Sequence, residues 1–256
     1  MNWFKKDIEK KILALLTLLL SFIVYLDTIS PTVPFWDCGE FIATAYTLGV
    51  PHPPGSPLFL LIGRIFSMIP FSQDIAFRVN LISTIVSALA VMFLFLITVQ
   101  LLQFRGKPTT KLQKLIVYGG AFIGAMTFAF TDSHWFNAVE AEVYAFSTFL
   151  TAIVVWLILV WEEKAGQPGH ERYLLIIAYI VGLAIGVHLL NLLAIFFIAL
   201  IIYFKQKKVS SVWWLILDII IGVAVAGLLF LISMQFRVSI FFQAILTLGI
   251  LVLGYY

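Results

Sequence analysis

Long apolar runs alternate with short polar segments along almost the whole chain. The runs fall at residues 12–26, 75–102, 115–130, 143–161, 173–187, 189–204, 212–232 and 240–256. A helix needs about 20 largely apolar residues to cross the hydrocarbon, and fewer where long polar side chains snorkel to the edge. The pattern therefore predicts eight transmembrane helices. The stretch 173–204 is too long for one comfortable span, and His188 and Asn191 interrupt it at its midpoint, so two short helices with a tight turn are expected there. The first run follows KKDIEKK and has no small-residue cleavage site after it, which makes it an uncleaved signal anchor.

The segment 27–74 between the first two spans has its own pattern. Residues 36–48 read as a short amphipathic helix, preceded by Pro34 and ended by Gly49. Residues 58–69 are apolar except for Arg64, stop at Pro70 and are too short to span, so they are expected in the membrane interface. Between these helices lies VPHPPGSP. Its prolines fix their own φ angles and hold the preceding residues extended, which makes a rigid corner around His52.

Composition sharpens the class. Charged residues make up 11% of the chain and hydrophobic ones 62%, against about 25% charged in soluble domains. The fold class is thus an all-α polytopic membrane protein, with lipid as most of its solvent. Residues 1–256 read as a single transmembrane domain, and the apolar end LTLGILVLGYY suggests the N-terminal part of a longer protein. The one cysteine, Cys38, excludes an internal disulfide.

Charge sets the orientation. With the N-terminus in the cytoplasm, the inner segments hold thirteen of the sixteen Lys and Arg residues, as the positive-inside rule requires. The outer segments then hold Asp27, Asp37, Glu40, Asp74, Asp132, Glu140 and Glu142, together with His52, His134 and His188. This convergence points to an extracytoplasmic site in the plasma (inner) membrane, since ionisable groups near the membrane are costly to keep. The cytoplasmic lysines need no further explanation, and no nucleic-acid signature is present.

Several outer residues offer chemistry, each beside a structural alternative. Asp37 and Glu40 stand three apart, so they share a helix face. Asp37 is either a helix-capping or dipole-matching acid, or a general base or orienting carboxylate for a hydroxyl. His52 is a phosphate or sugar contact, or part of a plain corner. Arg64 snorkels or pairs with an acid. Arg78, which with Asn80 opens the second long span, suits a lipid-linked phosphate or pairs with Asp74. Glu140 and Glu142 face different ways on a helix, so only one enters a shared site, and Glu142 is the better placed. Trp135 and Tyr144 stack on a sugar ring or anchor the interface. His188 and Asn191 satisfy backbone groups at the helix break, or contact a ligand. No HExxH, CxxC or DxD motif appears, so no cofactor is expected, with a divalent metal left open.

The block FWDCGEFIATAYTLGVPHPPGSPLFLLIGRIF with RVNLIS, then HWFNAVEAEVYAF and GLAIGVHLLNLLAI, resembles a bacterial (Bacteroidota-type) multi-pass family classed as a domain of unknown function. That family is related to the animal transmembrane protein O-mannosyltransferase. The resemblance covers most of residues 12–204. It implies a GT-C type glycosyltransferase that takes a sugar, mannose, from a polyprenyl-phosphate donor to Ser or Thr hydroxyls of an acceptor protein. It also implies Asp37 as the acidic residue of the first outer loop, with Glu40 as its partner. His52, Arg64, Arg78, Asn80, His134, Glu142, His188 and Asn191 are then the candidates for holding the donor. Two other readings are a transporter or flippase for a lipid-linked sugar, and a non-catalytic assembly subunit. A flippase would need polar groups deep in several spans, where the sequence offers little beyond Asp218, Gln100 and Gln235.

Overall fold

A computed structural model describes residues 7–206 together with Ile216 and Ile220. The expected spans at 212–232 and 240–256, and Asp218 and Gln235 with them, lie outside the described residues. Among the described residues there is no strand, and nine α-helices follow one another: α1 (Ile8–Asp27), α2 (Cys38–Thr47), α3 (Pro57–Met68), α4 (Ile75–Leu102), α5 (Lys111–Ala129), α6 (Asp132–Ala138), α7 (Val143–Lys164), α8 (Glu171–Ile185) and α9 (Ala194–Gln206). Four helical stretches there are long and apolar enough to cross a membrane: Ile75–Leu102, Lys111–Ala129, Val143–Lys164 and Leu189–Gln206. The last combines a 3-10 turn, Leu189–Leu193, with α9. The chain is an all-α membrane protein.

The long helix α4 is the axis of the bundle. It packs against α1, α5 and α7, and its buried residues lie all round it, Val79, Ala88, Val91, Phe95 and Val99 among them. Small residues let the neighbours approach closely: Ala88 on α4 meets Ala121, Ala125 and Ala129 of α5 in one buried cluster with Tyr25 of α1. The Tyr25 hydroxyl donates to the Ala129 carbonyl at 2.8 Å and so ties α1 to α5. In an apolar solvent every polar group must find an internal partner. Thr17 and Ser21 accordingly donate back to carbonyls of α1, and Thr84 of α4 donates to the Ala138 carbonyl at 2.9 Å.

Helix ends show how the sequence sets the boundaries. Asp74 caps α4, its carboxylate accepting from the Ala76 N–H at 2.7 Å and the Phe77 N–H at 3.4 Å. Thr110 and Gln113 form a capping box at the start of α5. The two helices of the first outer loop, α2 and α3, lie within a few residues of the expected positions. Gly49 does not end α2, however: Leu48 takes the left-handed position, with φ of 54°, and the Gly49 N–H closes the turn on the Thr44 carbonyl at 2.9 Å.

The two ends of the bundle are chemically distinct. At one end, ion pairs join Lys114 to Glu9, Lys107 to Glu163 and Lys205 to Glu162, at 3.1, 2.6 and 2.8 Å. These are the segments whose lysines set the expected orientation. At the other end, loop contacts join the segments that carry the acids and histidines. The Ser30 N–H donates to the Val139 carbonyl at 2.9 Å, and the Ser56 hydroxyl to the Val187 carbonyl at 2.9 Å.

Candidate functional site

The block that opens the first loop helix folds into a compact polar cluster. Asp37 occupies the N-cap position of α2, yet its side chain makes no capping hydrogen bond, so the capping alternative is not realised. Glu40 lies one turn on, over the same face. The rigid corner brings His52 back to it: the His52 backbone N–H donates to Glu40 Oε1 at 2.7 Å, and His52 Nδ1 lies 2.6 Å from Glu40 Oε2. A carboxylate can only accept, so Nδ1 carries a proton. The other ring nitrogen, Nε2, is 3.9 Å from Asp37 Oδ2. The Phe41 ring packs 5.7 Å from the imidazole and holds it from one side.

Hydrogen bonding to Glu40 raises the pKa of His52, and the charges of Glu40, Asp37 and Glu142 add to the shift. The same hydrogen bonds lower the pKa of Glu40. The three side chains are thus arranged with the imidazole between two carboxyl groups, open to the surface. One ligand atom from each lies within 4.8 Å of the others, a set that could hold a divalent cation only by competing with the Glu40–His52 hydrogen bonds.

Beneath this cluster lies a buried one. Cys38 is fully buried, and its thiol donates to Glu142 Oε1 at 3.5 Å. Glu140 and Glu142 are both buried, at 4% and 6% exposure. They do not lie on a helix, as the spacing argument supposed: they occupy the turn before α7, where the Glu142 N–H donates to the Glu140 carbonyl at 2.8 Å. Burial, with the neighbouring Glu142 charge, pushes Glu140 up to about 7, and burial also raises Glu142. Cys38 is raised by its burial and by both glutamates. Neither Cys38 nor Glu140 stood among the expected site residues. Their sequence signal was proximity alone, a cysteine between Asp37 and Glu40 and an acid two residues from Glu142.

The remaining candidates are placed elsewhere or differently employed. Arg78 makes no ion pair with Asp74 and is held by backbone carbonyls. Its Nε and Nη2 donate to the Ser72 carbonyl, the former at 2.8 Å, and Nη1 donates to the Ser67 carbonyl at 2.7 Å. Arg64 donates to the Tyr46 carbonyl and lies over the Tyr46 ring. Asn80 is fully buried and donates to the Ser30 and Thr32 carbonyls at 2.9 and 3.0 Å. His134 is buried between Tyr25 and Phe128, at ring distances of 6.0 and 4.3 Å, and burial lowers its pKa to about 4. Trp135 donates to Thr28 Oγ1 at 2.9 Å, the structural alternative.

At the break after α8, Asn191 donates to the Ala184 and His188 carbonyls and accepts from Thr151 at 2.8 Å, which leaves it no free donor. His188 Nδ1 accepts from the Leu190 N–H at 3.2 Å, so the neutral ring carries its proton on Nε2. Its ring lies 5.1 Å from that of Tyr144. His188 also borders an open apolar pocket of about 360 Å³ with Pro54, Leu190, Leu193 and Phe196.

A family model described as the protein O-mannosyl-transferase TMEM260 N-terminal domain matches residues 37–211, a segment that begins at Asp37 and contains both clusters. The chain is similar to the protein O-mannosyl-transferase TMEM260 of Mus musculus, 29% identical over 163 residues, or 63% of this chain and 21% of that protein. It is likewise similar to the protein O-mannosyl-transferase tmem260 of Dictyostelium discoideum, 30% identical over 172 residues, 66% of this chain and 19% of that protein. The chain spans about a fifth of the length of these curated relatives. No solved structure matches it.

Proposed function

Because the chain belongs to the family of the protein O-mannosyl-transferase TMEM260 N-terminal domain, we propose that it carries a glycosyl-transfer site that moves mannose from a polyprenyl-phosphate donor to a Ser or Thr hydroxyl. In this reading the site lies on the extracytoplasmic side of the plasma membrane, in a fold of the GT-C type. The observation that supports it most is the Asp37–His52–Glu40 cluster, an exposed carboxyl group beside an imidazole held by a second one.

The chemistry follows from these positions. Asp37 accepts the proton of the acceptor hydroxyl as its oxygen attacks the anomeric carbon. The bond from that carbon to the phosphate oxygen breaks, and polyprenyl phosphate leaves with the electron pair. One displacement inverts the anomeric centre, and no covalent sugar–enzyme intermediate forms. Glu40 orients His52 and keeps it charged. Protonated His52 in turn offers positive charge to the departing phosphate. Arg78 donates to the Ser67 and Ser72 carbonyls and Arg64 Nη1 to the Tyr46 carbonyl, whereas His52 lies 3.9 Å from Asp37, and the Nε2–H of His188 is a further donor at the same end. The apolar pocket beside His188 supplies a bed for the polyprenyl chain.

Transfer of labelled mannose from polyprenyl phosphate to a Ser- or Thr-bearing acceptor, in membranes containing the protein, tests this reading. Asp37→Asn is expected to lower turnover by about a hundredfold or more and Glu40→Gln by less. Wild-type turnover in both variants would remove Asp37 and Glu40 from the mechanism.

A further inference from the structure

We propose that Cys38 and Glu142 form a buried clasp that aims Asp37, so that both act as positioning residues for the transfer reaction. The inference rests on the reading of Asp37 as the base. Helix α2 has ten residues, and helices this short are not stable alone. Its orientation is therefore set by what it packs against. At its C-terminal end, Arg64 of α3 holds the Tyr46 carbonyl. Along its inner face, Phe41, Ile42 and Ala45 pack with Phe59 of α3 and Val79 of α4. At its N-terminal end, where Asp37 sits, the Asp37 side chain makes no bond to its own helix. The Cys38 thiol ties α2 to the α6–α7 turn, donating to Glu142 Oε1 at 3.5 Å with the Glu140 carboxyl as its second neighbour there. Glu142 is itself fixed, since its carbonyl accepts from the Ser83 hydroxyl of α4 at 3.4 Å. The clasp thus connects the residue next to Asp37 to the central helix.

A purely apolar contact would fill this space at lower cost. Buried carboxyl groups are expensive unless paired, and here two lie side by side, with no Lys or Arg ion-paired to either among the described residues. Keeping them directly under Asp37 gives a rigid, directional contact that a leucine would not. Sub-ångström aim of a catalytic group carries large rate effects, which is what such a contact can supply.

The test combines turnover with labelling of the sole cysteine. Cys38→Ala and Glu142→Ala are each expected to lower kcat about tenfold at unchanged KM. Cys38→Ser and Glu142→Gln, which keep a donor and an acceptor, are expected to stay within about twofold of wild type. The Cys38→Ala/Glu142→Ala double variant should be no slower than the slower single variant, since both break one contact. Independently of activity, Glu142→Ala should raise the rate at which N-ethylmaleimide labels Cys38 by about tenfold or more, because a buried, protonated thiol is unreactive. Unchanged labelling, wild-type kcat in Cys38→Ala, equal losses in Cys38→Ala and Cys38→Ser, multiplicative losses in the double variant, or losses confined to KM would each overturn the proposal. A wild-type protein that labels as expected but transfers no mannose would overturn the proposed reaction and leave the contact standing.

Discussion

Both oxygens of Glu40 are taken by one residue, the backbone N–H and ring of His52. This pairing places the histidine between Glu40 and Asp37, with Nε2 3.9 Å from the latter. It also predicts a pH dependence. The pKa of Glu40 is lowered, so its contribution is present above the ordinary 4.5 and is lost as pH falls through its depressed value. That of His52 is raised, so its contribution is complete below the ordinary 6.5 and is lost as pH rises through its elevated value. Turnover should therefore form a bell with its acid limb below 4.5 and its alkaline limb above 6.5. His52→Gln should lower the plateau and abolish the alkaline limb. An unchanged limb in that variant would assign it to another group, Glu140 first. Asp37 and Glu40 were legible in the sequence because helical spacing is local. The partners of Arg78, Asn80 and His134 were not legible, because type and side of the membrane do not reveal which carbonyl or ring a side chain meets. Asn80 reaches the Ser30 carbonyl fifty residues away, and His134 meets Tyr25 across a still longer separation.

At the scale of elements, α2 and α3 were predictable from apolar runs bounded by prolines, and the break at His188 and Asn191 from two polar residues inside an apolar stretch. The turn holding Glu140 and Glu142 was not, because two acids flanking an alanine look the same on a helix and on a turn. How closely α2 and α3 pack was also hidden, and it depends on Gly63. A Cβ at that position would lie 2.8 Å from Ala45 Cβ, nearer than real contacts allow, and 3.7 Å from Val79 Cγ1. Gly63→Ala should therefore part the two helices and destabilise the protein by about 1–3 kcal/mol, seen as a lower Tm in detergent, with turnover falling alongside. Gly124→Ala is the control, since nothing lies within 4 Å of its added Cβ. Equal melting of the two variants would show that the α2–α3 contact yields without cost.

For the molecule as a whole, the separation of basic and acidic segments to opposite ends was the most legible feature, because the positive-inside rule counts charges and needs no contacts. The ion pairs Lys107–Glu163 and Lys114–Glu9 gather at one end, and Cys38–Glu142 and Ser56–Val187 at the other. Helix α4 connects the two ends over 28 residues, about 42 Å at 1.5 Å per residue. Cysteines introduced at Val50 and Thr109 should accordingly react with a membrane-impermeant reagent from opposite faces, Val50 in intact cells and Thr109 only after permeabilisation. Labelling of both from one face would refute the arrangement. The corner that carries His52 is attached to the α8 break twice over: the Leu58 N–H donates to the Gly186 carbonyl at 2.8 Å, and the Ser56 hydroxyl donates to its neighbour Val187 at 2.9 Å. A loop fastened in this way cannot act as a door. Its other flank is open instead: Phe35 and Trp36 stand 86% and 84% exposed, and in the proposed reaction they are the doorstep that an acceptor polypeptide would meet first.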